Sequence, residues 1–437
     1  MKLFREIGLA SAVFLVVGNI VGTGIYTTSG LIAQEIGNSS WLVGIWVAGG
    51  LLSLTGALCY AQLGARTPKA GGEFAFLYPV YGPLPAFLSG WASLIIGFSG
   101  PVAAASLGLA IYLEPYLPLA SGPLGNQAVA TLVLLAVTTL LTVGLRFGTR
   151  LHSTVTLLNL GLLAGFTCLV LFNTLKAGVL HELNPAGAWD PETLVPVASA
   201  LVLVMFSYSG WNAAAYIAEE IRDPARNLPR SLLLGTVLVT ILYVGVNLAY
   251  LTALPLDRLQ GEVAVAQLAA AAVVPSGEWI VTLLILVSIL SSVTAMSIAG
   301  PRIYFAMSRE RLFPSWLGEV HLRKKIPLKA IWFQSGIALA LVWMGTLRQI
   351  LLFSGFVVIL FSAVTVSALL RLPVDAGSSR GAWILQRFLP WVFVLTSLTI
   401  LASVALSHPG ESLAGVATVC AGLPVYYYYR RRVGSGA

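Results

Sequence analysis

Two stretches of this sequence set glycine, hydroxyl and amide residues inside otherwise apolar runs. They are Gly18-Asn19-Ile20-Val21-Gly22-Thr23-Gly24-Ile25-Tyr26 and Phe206-Ser207-Tyr208-Ser209-Gly210-Trp211-Asn212. Neither holds an acid, a base or an activated nucleophile, so the chemistry on offer is binding through backbone groups. Glycine loses more entropy in a helix than other residues and tolerates unusual dihedrals, which favours unwinding. The half-helix after a break presents free N–H groups and a positive dipole end to a carboxylate. The half-helix before it presents free carbonyls to an ammonium. Two such breaks facing each other bind a zwitterion without a charged side chain. The competing reading is close packing, because small residues let membrane helices approach one another.

The elements that carry these breaks follow from composition. The chain has 437 residues, 57% hydrophobic and 10% charged, with a mean hydropathy of +0.88. Soluble domains carry about 25% charged residues, so lipid is the solvent for most of this chain. Apolar runs of spanning length occur at about 8–33, 40–65, 84–113, 127–145, 153–174, 194–218, 231–255, 277–306, 328–346, 349–370, 382–406 and 412–429. They are too continuous for barrel strands, and lipid otherwise admits only helices. The sequence predicts an all-α polytopic membrane protein with 12 transmembrane helices. The basic start before residue 8 precedes a run too long for a signal-peptide core, so it reads as an uncleaved first span. Residues 434–437 read as a cloning scar and are set aside.

Orientation follows from the charges. With a cytoplasmic N-terminus and alternating spans, all but Lys176, Arg258 and Arg348 of the 25 Lys and Arg residues fall on the cytoplasmic side. This matches the positive-inside rule and places both termini in the cytoplasm of a cytoplasmic (inner) membrane protein. The net charge of +8 is then a topology signal, and no nucleic-acid partner is expected. No Asp, Glu, Lys or Arg falls near the middle of a predicted span, so a charged solute would be met by dipoles and backbone.

Cys59, Cys168 and Cys420 lie in apolar runs and read as packing residues, with no metal site and no cofactor expected. Gly97-Phe98-Ser99-Gly100 resembles the GxSG of intramembrane serine proteases. That chemistry needs a facing histidine, and His152, His181, His321 and His408 all fall at or outside the predicted span ends, so an enzyme is not expected.

At the two breaks the sequence resembles the amino acid–polyamine–organocation superfamily, and within it the L-type amino acid transporter branch and its bacterial relatives. Val17 to Tyr26 resembles G-x-I-I-G-S-G-I-F. Gly56-Ala57-Leu58-Cys59-Tyr60-Ala61-Gln62-Leu63-Gly64 and Pro68-Lys69-Ala70-Gly71-Gly72-Glu73 resemble G-A-L-x-Y-A-E-L-G and P-K-S-G-G, and Val80 to Leu88 follows as another family stretch. Phe206 to Asn212, with Glu219-Glu220-Ile221-Arg222-Asp223-Pro224 and Arg226-Asn227-Leu228-Pro229, resembles F-A-Y-x-G-W-N…E-E…P-x-R-N-L-P. Ser308-Arg309-Glu310 with Pro314 resembles S-R-E-G-x-L-P.

The resemblance implies two inverted five-helix repeats plus two C-terminal helices: residues 1–175, 190–372 and 380–430. It implies an amino acid permease or exchanger working by alternating access. The substrate carboxylate would meet Gly22, Thr23 and Gly24, and the ammonium would meet carbonyls of Ile20, Phe206, Ser207 and Ser209. Phe206 would also cover the site as a gate. Asn159 stands where many relatives carry a lysine near a sodium position, which argues against proton symport of that form. Ser291, Ser292 and Thr294 could complete a sodium-like site, although such hydroxyls usually bond their own helix. Ser209 stands where glycine is frequent, which suggests a small side chain on the substrate. Glu219 and Glu220 are either solvated loop charges or part of a cytoplasmic gate. Eukaryotic L-type transporters hold a glycoprotein partner through a cysteine between spans 3 and 4; residues 114–126 contain none, so no disulfide-linked heavy chain is expected. The expected solutes are small to medium neutral L-amino acids. A proton- or sodium-coupled symporter and a non-transporting amino acid sensor are the alternatives. A polyamine carrier is disfavoured for want of a mid-membrane carboxylate.

Overall fold

The structure, a computed structural model, describes residues 3–22, 24–114, 116–177, 194–262, 264–273, 278–344, 347–373, 383–407 and 409–434. The chain is predominantly helical in these segments. They contain no strand, only isolated bridges at Ile7 with Ile221 and His321 with Ile326. Seven helices among the described residues are long and apolar enough to cross a membrane, or eight when one bent pair counts as a single span. The chain is thus a multi-pass membrane protein.

The first apolar run is the bent pair. α1 (Leu9–Ile20) and α2 (Gly24–Ile36) meet at 43°. Asn38 then caps α3 (Ser39–Arg66) by accepting the Trp41 N–H at 3.0 Å, a side-chain cap that satisfies one orphan donor of a first turn. α4 (Glu73–Tyr81) is short and ends at Gly82, whose φ is +84°. α5 (Pro83–Leu113) starts with proline, which suits a first helical position, and contains a π-helical stretch at Ser93–Phe98. α6 (Gly122–Leu141) and α7 (Leu145–Ala177) follow.

The second glycine–serine stretch ends α8 (Leu194–Ser207) and is followed by one helical turn, α9 (Ala213–Tyr216). α10 (Pro224–Ala253) is long; α11 (Val265–Val273) leads to α12 (Glu278–Ala299) and α13 (Pro301–Arg309). α14 (Leu328–Met344), α15 (Leu347–Arg371), α16 (Leu389–Ser407), α17 (Pro409–Cys420) and α18 (Gly422–Gly434) complete the chain.

α1 packs against α10, α12 and α7, α2 lies along α8, and α3 runs beside α10. The two broken stretches therefore sit in the middle of the bundle. The outside is apolar: Leu132, Leu157, Phe172, Ile241, Leu395 and Leu406 are all exposed, as lipid-facing residues should be. Exposed Trp279, Trp343, Trp383 and Trp391 lie at or near helix ends, the depth at which indole rings favour a membrane interface.

One sequence expectation changes. α7 begins at Leu145, eight residues before the predicted run. His152 therefore lies inside a helix and is 2% exposed, rather than at a span end. Outside the predicted spans, Glu73 and Glu220 are buried, at 4% and 0% exposed.

Candidate functional site

The two breaks face each other across a cavity of about 100 Å³. Its walls include Asn19, Ile20, Gly22 and Gly24 from the first break and Phe206, Ser207, Ser209, Gly210 and Asn212 from the second. α5 contributes Ser93 and Phe98 from its π-helical stretch, α12 contributes Ser292, and α15 contributes Val357 to Ile359. A π-bulge widens a helix locally and is frequent at functional sites. Thr23 lies outside the described residues.

Close approach explains two glycines. Gly210 has a φ of +101°, and a Cβ there would come within 2.8 Å of the Asn19 carbonyl oxygen. A Cβ on the native backbone of Gly24 would lie 2.9 Å from Ser207 Cα. Each glycine belongs to one break and touches the other, so the two unwound stretches are packed as a unit. Thr28 Oγ1 and Ser207 Oγ share a hydrogen bond of 2.9 Å across the same seam.

The carbonyls at the ends of α1 and α8 converge. Tyr243 of α10 places its hydroxyl 2.9 Å from the Ile20 oxygen and 3.2 Å from the Ser207 oxygen. A carbonyl oxygen has two lone pairs, so each retains capacity for a second donor. The Phe206 oxygen accepts the Ser209 N–H at 3.0 Å. Tyr243 is itself buried against Trp46 and Tyr208. Sequence reasoning missed it because a tyrosine in an apolar run reads as bulk.

The residues expected near an ion separate into two groups. Asn159 accepts from Ser288 Oγ at 2.5 Å, and Ser288 shares a 2.6 Å bond with the Tyr26 hydroxyl. Asn159 Nδ2 finds no acceptor among the described residues. One turn along α12, Ser291 bonds Thr156 at 2.7 Å, and Thr294 lies 2.9 Å from His152 Nδ1. Ser292 alone of the expected α12 hydroxyls reaches the cavity wall. His152 Nε2 lies 3.1 Å from the Phe14 oxygen, so this histidine ties α1 to α7 and α12.

Glu73 is the second residue that sequence reasoning missed. It follows Gly71 and Gly72, whose φ values of +112° and +52° turn the chain inward. Its Oε1 accepts from the Tyr60 hydroxyl at 2.8 Å, from Asn212 Nδ2 at 3.3 Å and from Ser362 at 3.5 Å. Its Oε2 accepts from Ser89 at 3.2 Å. The only available signal was the acid after a Gly-Gly pair.

Glu220 is buried, Glu219 is partly exposed, and both carry partners. Glu220 forms a bidentate pair with Arg302 at 2.7 and 3.0 Å. Glu219 bonds Arg309 at 3.0 Å and accepts from the Leu3 N–H at 3.1 Å. Ile7 exchanges backbone hydrogen bonds with Glu220 and Arg222, and Glu6 pairs with Arg146 and Lys325. The N-terminal segment is thereby bolted across this end of the bundle.

Comparison with known proteins identifies the family. The family model described as amino acid permease matches residues 7–426. The rabbit (Oryctolagus cuniculus) large neutral amino acids transporter small subunit 2 is 30% identical over 98% of this chain and 81% of its own length. Human Asc-type amino acid transporter 1 is 28% identical over 98% of this chain and 82% of its own. The human cystine/glutamate transporter is 27% identical over 98% and 86%. A hydrolase built on Ser99 has no place in this company. The chain belongs to the amino acid permease family, in the L-type branch of the amino acid–polyamine–organocation superfamily, and is an amino acid transporter.

Proposed function

We propose that this protein carries small to medium neutral L-amino acids by alternating access, as an exchanger or facilitator, through a site between its two helix breaks. One observation carries the reading: a single tyrosine hydroxyl gathers the end carbonyls of α1 and α8 beside the first turn of α2 on one cavity wall. The ammonium sits at the carbonyls of Ile20, Phe206, Ser207 and Ser209. The carboxylate sits at Gly22, Thr23 and Gly24, where the α2 dipole favours an anion. Phe206 closes over the solute. Neutral substrates are supported by the name of the rabbit neutral amino acid relative, and Ser209 narrows the pocket toward small side chains.

The full architecture we assign is twelve spans. Residues 1–175 and 190–372 form two inverted five-helix repeats, and residues 380–430 add two helices. The two breaks, one five-helix unit apart, support this arrangement. The distribution of Lys and Arg supports a cytoplasmic membrane location with both termini inside. Glu219 and Glu220, with Arg309 and Arg302, then form the cytoplasmic gate. Asn159, Ser291 and Ser292 belong to the coupling region without a lysine. Although the rabbit relative is named a small subunit, residues 114–126 offer no cysteine for a disulfide, so the chain works without a disulfide-linked partner.

Counterflow in proteoliposomes against a panel of amino acids, with and without ion gradients, tests the reading. Counterflow of neutral amino acids independent of any gradient is expected. Binding without flux would make the protein a sensor, and strict dependence on a sodium or proton gradient would make it a symporter.

A further inference from the structure

We propose that Glu73 is a charge filter of the transport cavity, the group that excludes amino acids with an anionic side chain. The inference rests on the transport reading above and adds a residue that reads the solute's side chain.

Glu73 lines the cavity yet is 4% exposed. Its hydrogen-bond donors are neutral: Tyr60 of α3, Ser89 of α5, Asn212 next to α9 and Ser362 of α15. No ion pair among the described residues involves it. The other titratable groups facing it are the hydroxyls of Tyr60 and Tyr216. Arg302 on α13, whose backbone lies beside Gly71, spends its guanidinium on Glu220. Arg371, from α15, stacks instead on Tyr81 at the far end of α4. The carboxylate is therefore solvated by dipoles and neutralised by nothing.

Such a group discriminates by charge. Four donors favour its ionised form against the burial that disfavours it. A second negative charge brought into the same water-poor cavity meets a repulsion that high dielectric would erase in bulk water. The hydrogen-bond partners of Glu73 lie on α3, α5, α15 and at the far end of the second break, with none on α1 or α2. It therefore reads the part of the solute away from the carboxylate-binding turn of α2. A neutral side chain leaves the four bonds intact. An acidic one is opposed by a factor of about 10 to 100 in apparent affinity, the size of a few kilocalories at an effective dielectric near 20.

The test compares near-isosteric pairs in proteoliposome counterflow: L-glutamine with L-glutamate, and L-asparagine with L-cysteate. In the wild type the kcat/KM ratio should favour the neutral member by at least about tenfold. Glu73→Gln should bring that ratio toward one, and Glu73→Asp should keep it. Each ratio is internal to one variant, so a general loss of activity does not mask it. Should Glu73→Gln fail to fold, the wild type still decides. Burial pushes the Glu73 carboxyl above the usual carboxylate range, with hydroxyl donors from Tyr60, Ser89 and Ser362 pulling back. Acidification should favour its neutral form while the cysteate sulfonate stays ionised. Inhibition of asparagine counterflow by cysteate should then rise. Equal handling of glutamine and glutamate by the wild type, an unchanged ratio in Glu73→Gln, or cysteate inhibition independent of pH would each overturn the filter. Counterflow of no amino acid at all would instead sink the transport reading.

Discussion

Arg302 and Glu220 meet side by side, Nε to Oε1 at 2.7 Å and Nη2 to Oε2 at 3.0 Å, with side-chain exposures of 2% and 0%. Arg302 Nη1 also donates to the Ile298 oxygen at 2.6 Å. A planar fork on a carboxylate is the geometry in which a buried pair offsets its desolvation. Removing one member leaves an uncompensated charge, which costs about 3–5 kcal/mol. Arg302→Met and Glu220→Gln should each lower thermal stability in detergent sharply. The double variant should be more stable than the sum of the single losses predicts. Strict additivity would show that the two side chains do not act as a pair.

Glu6 joins the same end of the bundle by pairing with Arg146 and Lys325. The Lys325 hydrogen bond, helped by Arg146, lowers its pKa from the ordinary 4.5, against a desolvation that raises it. For a depressed carboxyl, the linked stability is present above the unfolded pKa and disappears as pH falls through the folded one. The N-terminal segment should therefore stay docked at neutral pH and loosen only below about pH 4.5. Amide exchange at Ile7 and Arg222, whose N–H groups bond across this seam, should speed up below that window. Glu6→Gln should already exchange faster at neutral pH. Identical exchange in both proteins would remove Glu6 from the clamp.

The breaks were legible in the sequence because glycine and hydroxyl residues cluster in two apolar runs, a pattern that close packing alone also produces. Helix ends were less so. Hydropathy marks membrane depth, not helix length, so Arg146 and Arg150 held the predicted start of a run back to 153 although α7 already contains both. That error hid His152. Glu73 was hidden for another reason: α4 has nine residues, with Pro79 inside it, and reads as loop. Only tertiary packing brings its first residue against α3 and α5. The pairing of Glu220 with Arg302 spans 82 positions, and no local pattern could select it over the nearer Arg222 or Arg226.

Gly210 tests the packing of the two breaks on each other. Alanine there would need a φ near +101° and would press its Cβ to 2.8 Å from the Asn19 oxygen. Both penalties fall where α1 ends, so the seam must part. Left-handed backbone costs a non-glycine residue about 1–2 kcal/mol before any clash. Gly210→Ala should abolish counterflow while the protein still inserts and purifies. Gly24→Leu, which drives a larger side chain against Ser207, should do the same. Wild-type kinetics in either variant would separate the seam from transport.

Tyr243 gives the most direct test of the ammonium position. Its hydroxyl holds the Ile20 and Ser207 oxygens within one hydrogen-bond radius, while its ring is fixed edge-on against Trp46 at a centroid distance of 5.4 Å. Phenylalanine would keep the ring packing and delete only the hydroxyl. A hydrogen bond of this kind contributes about 0.5–1.5 kcal/mol, so folding should survive. The two carbonyls would then be free to turn apart, and a zwitterion would have to reassemble them on binding. Tyr243→Phe should raise the KM for a neutral amino acid by roughly tenfold, as about 1.4 kcal/mol implies. Transport of an analogue lacking the α-ammonium, already poor, should not worsen in step. A rise of equal size for both solutes would place the effect of Tyr243 on the conformational cycle rather than on the ammonium.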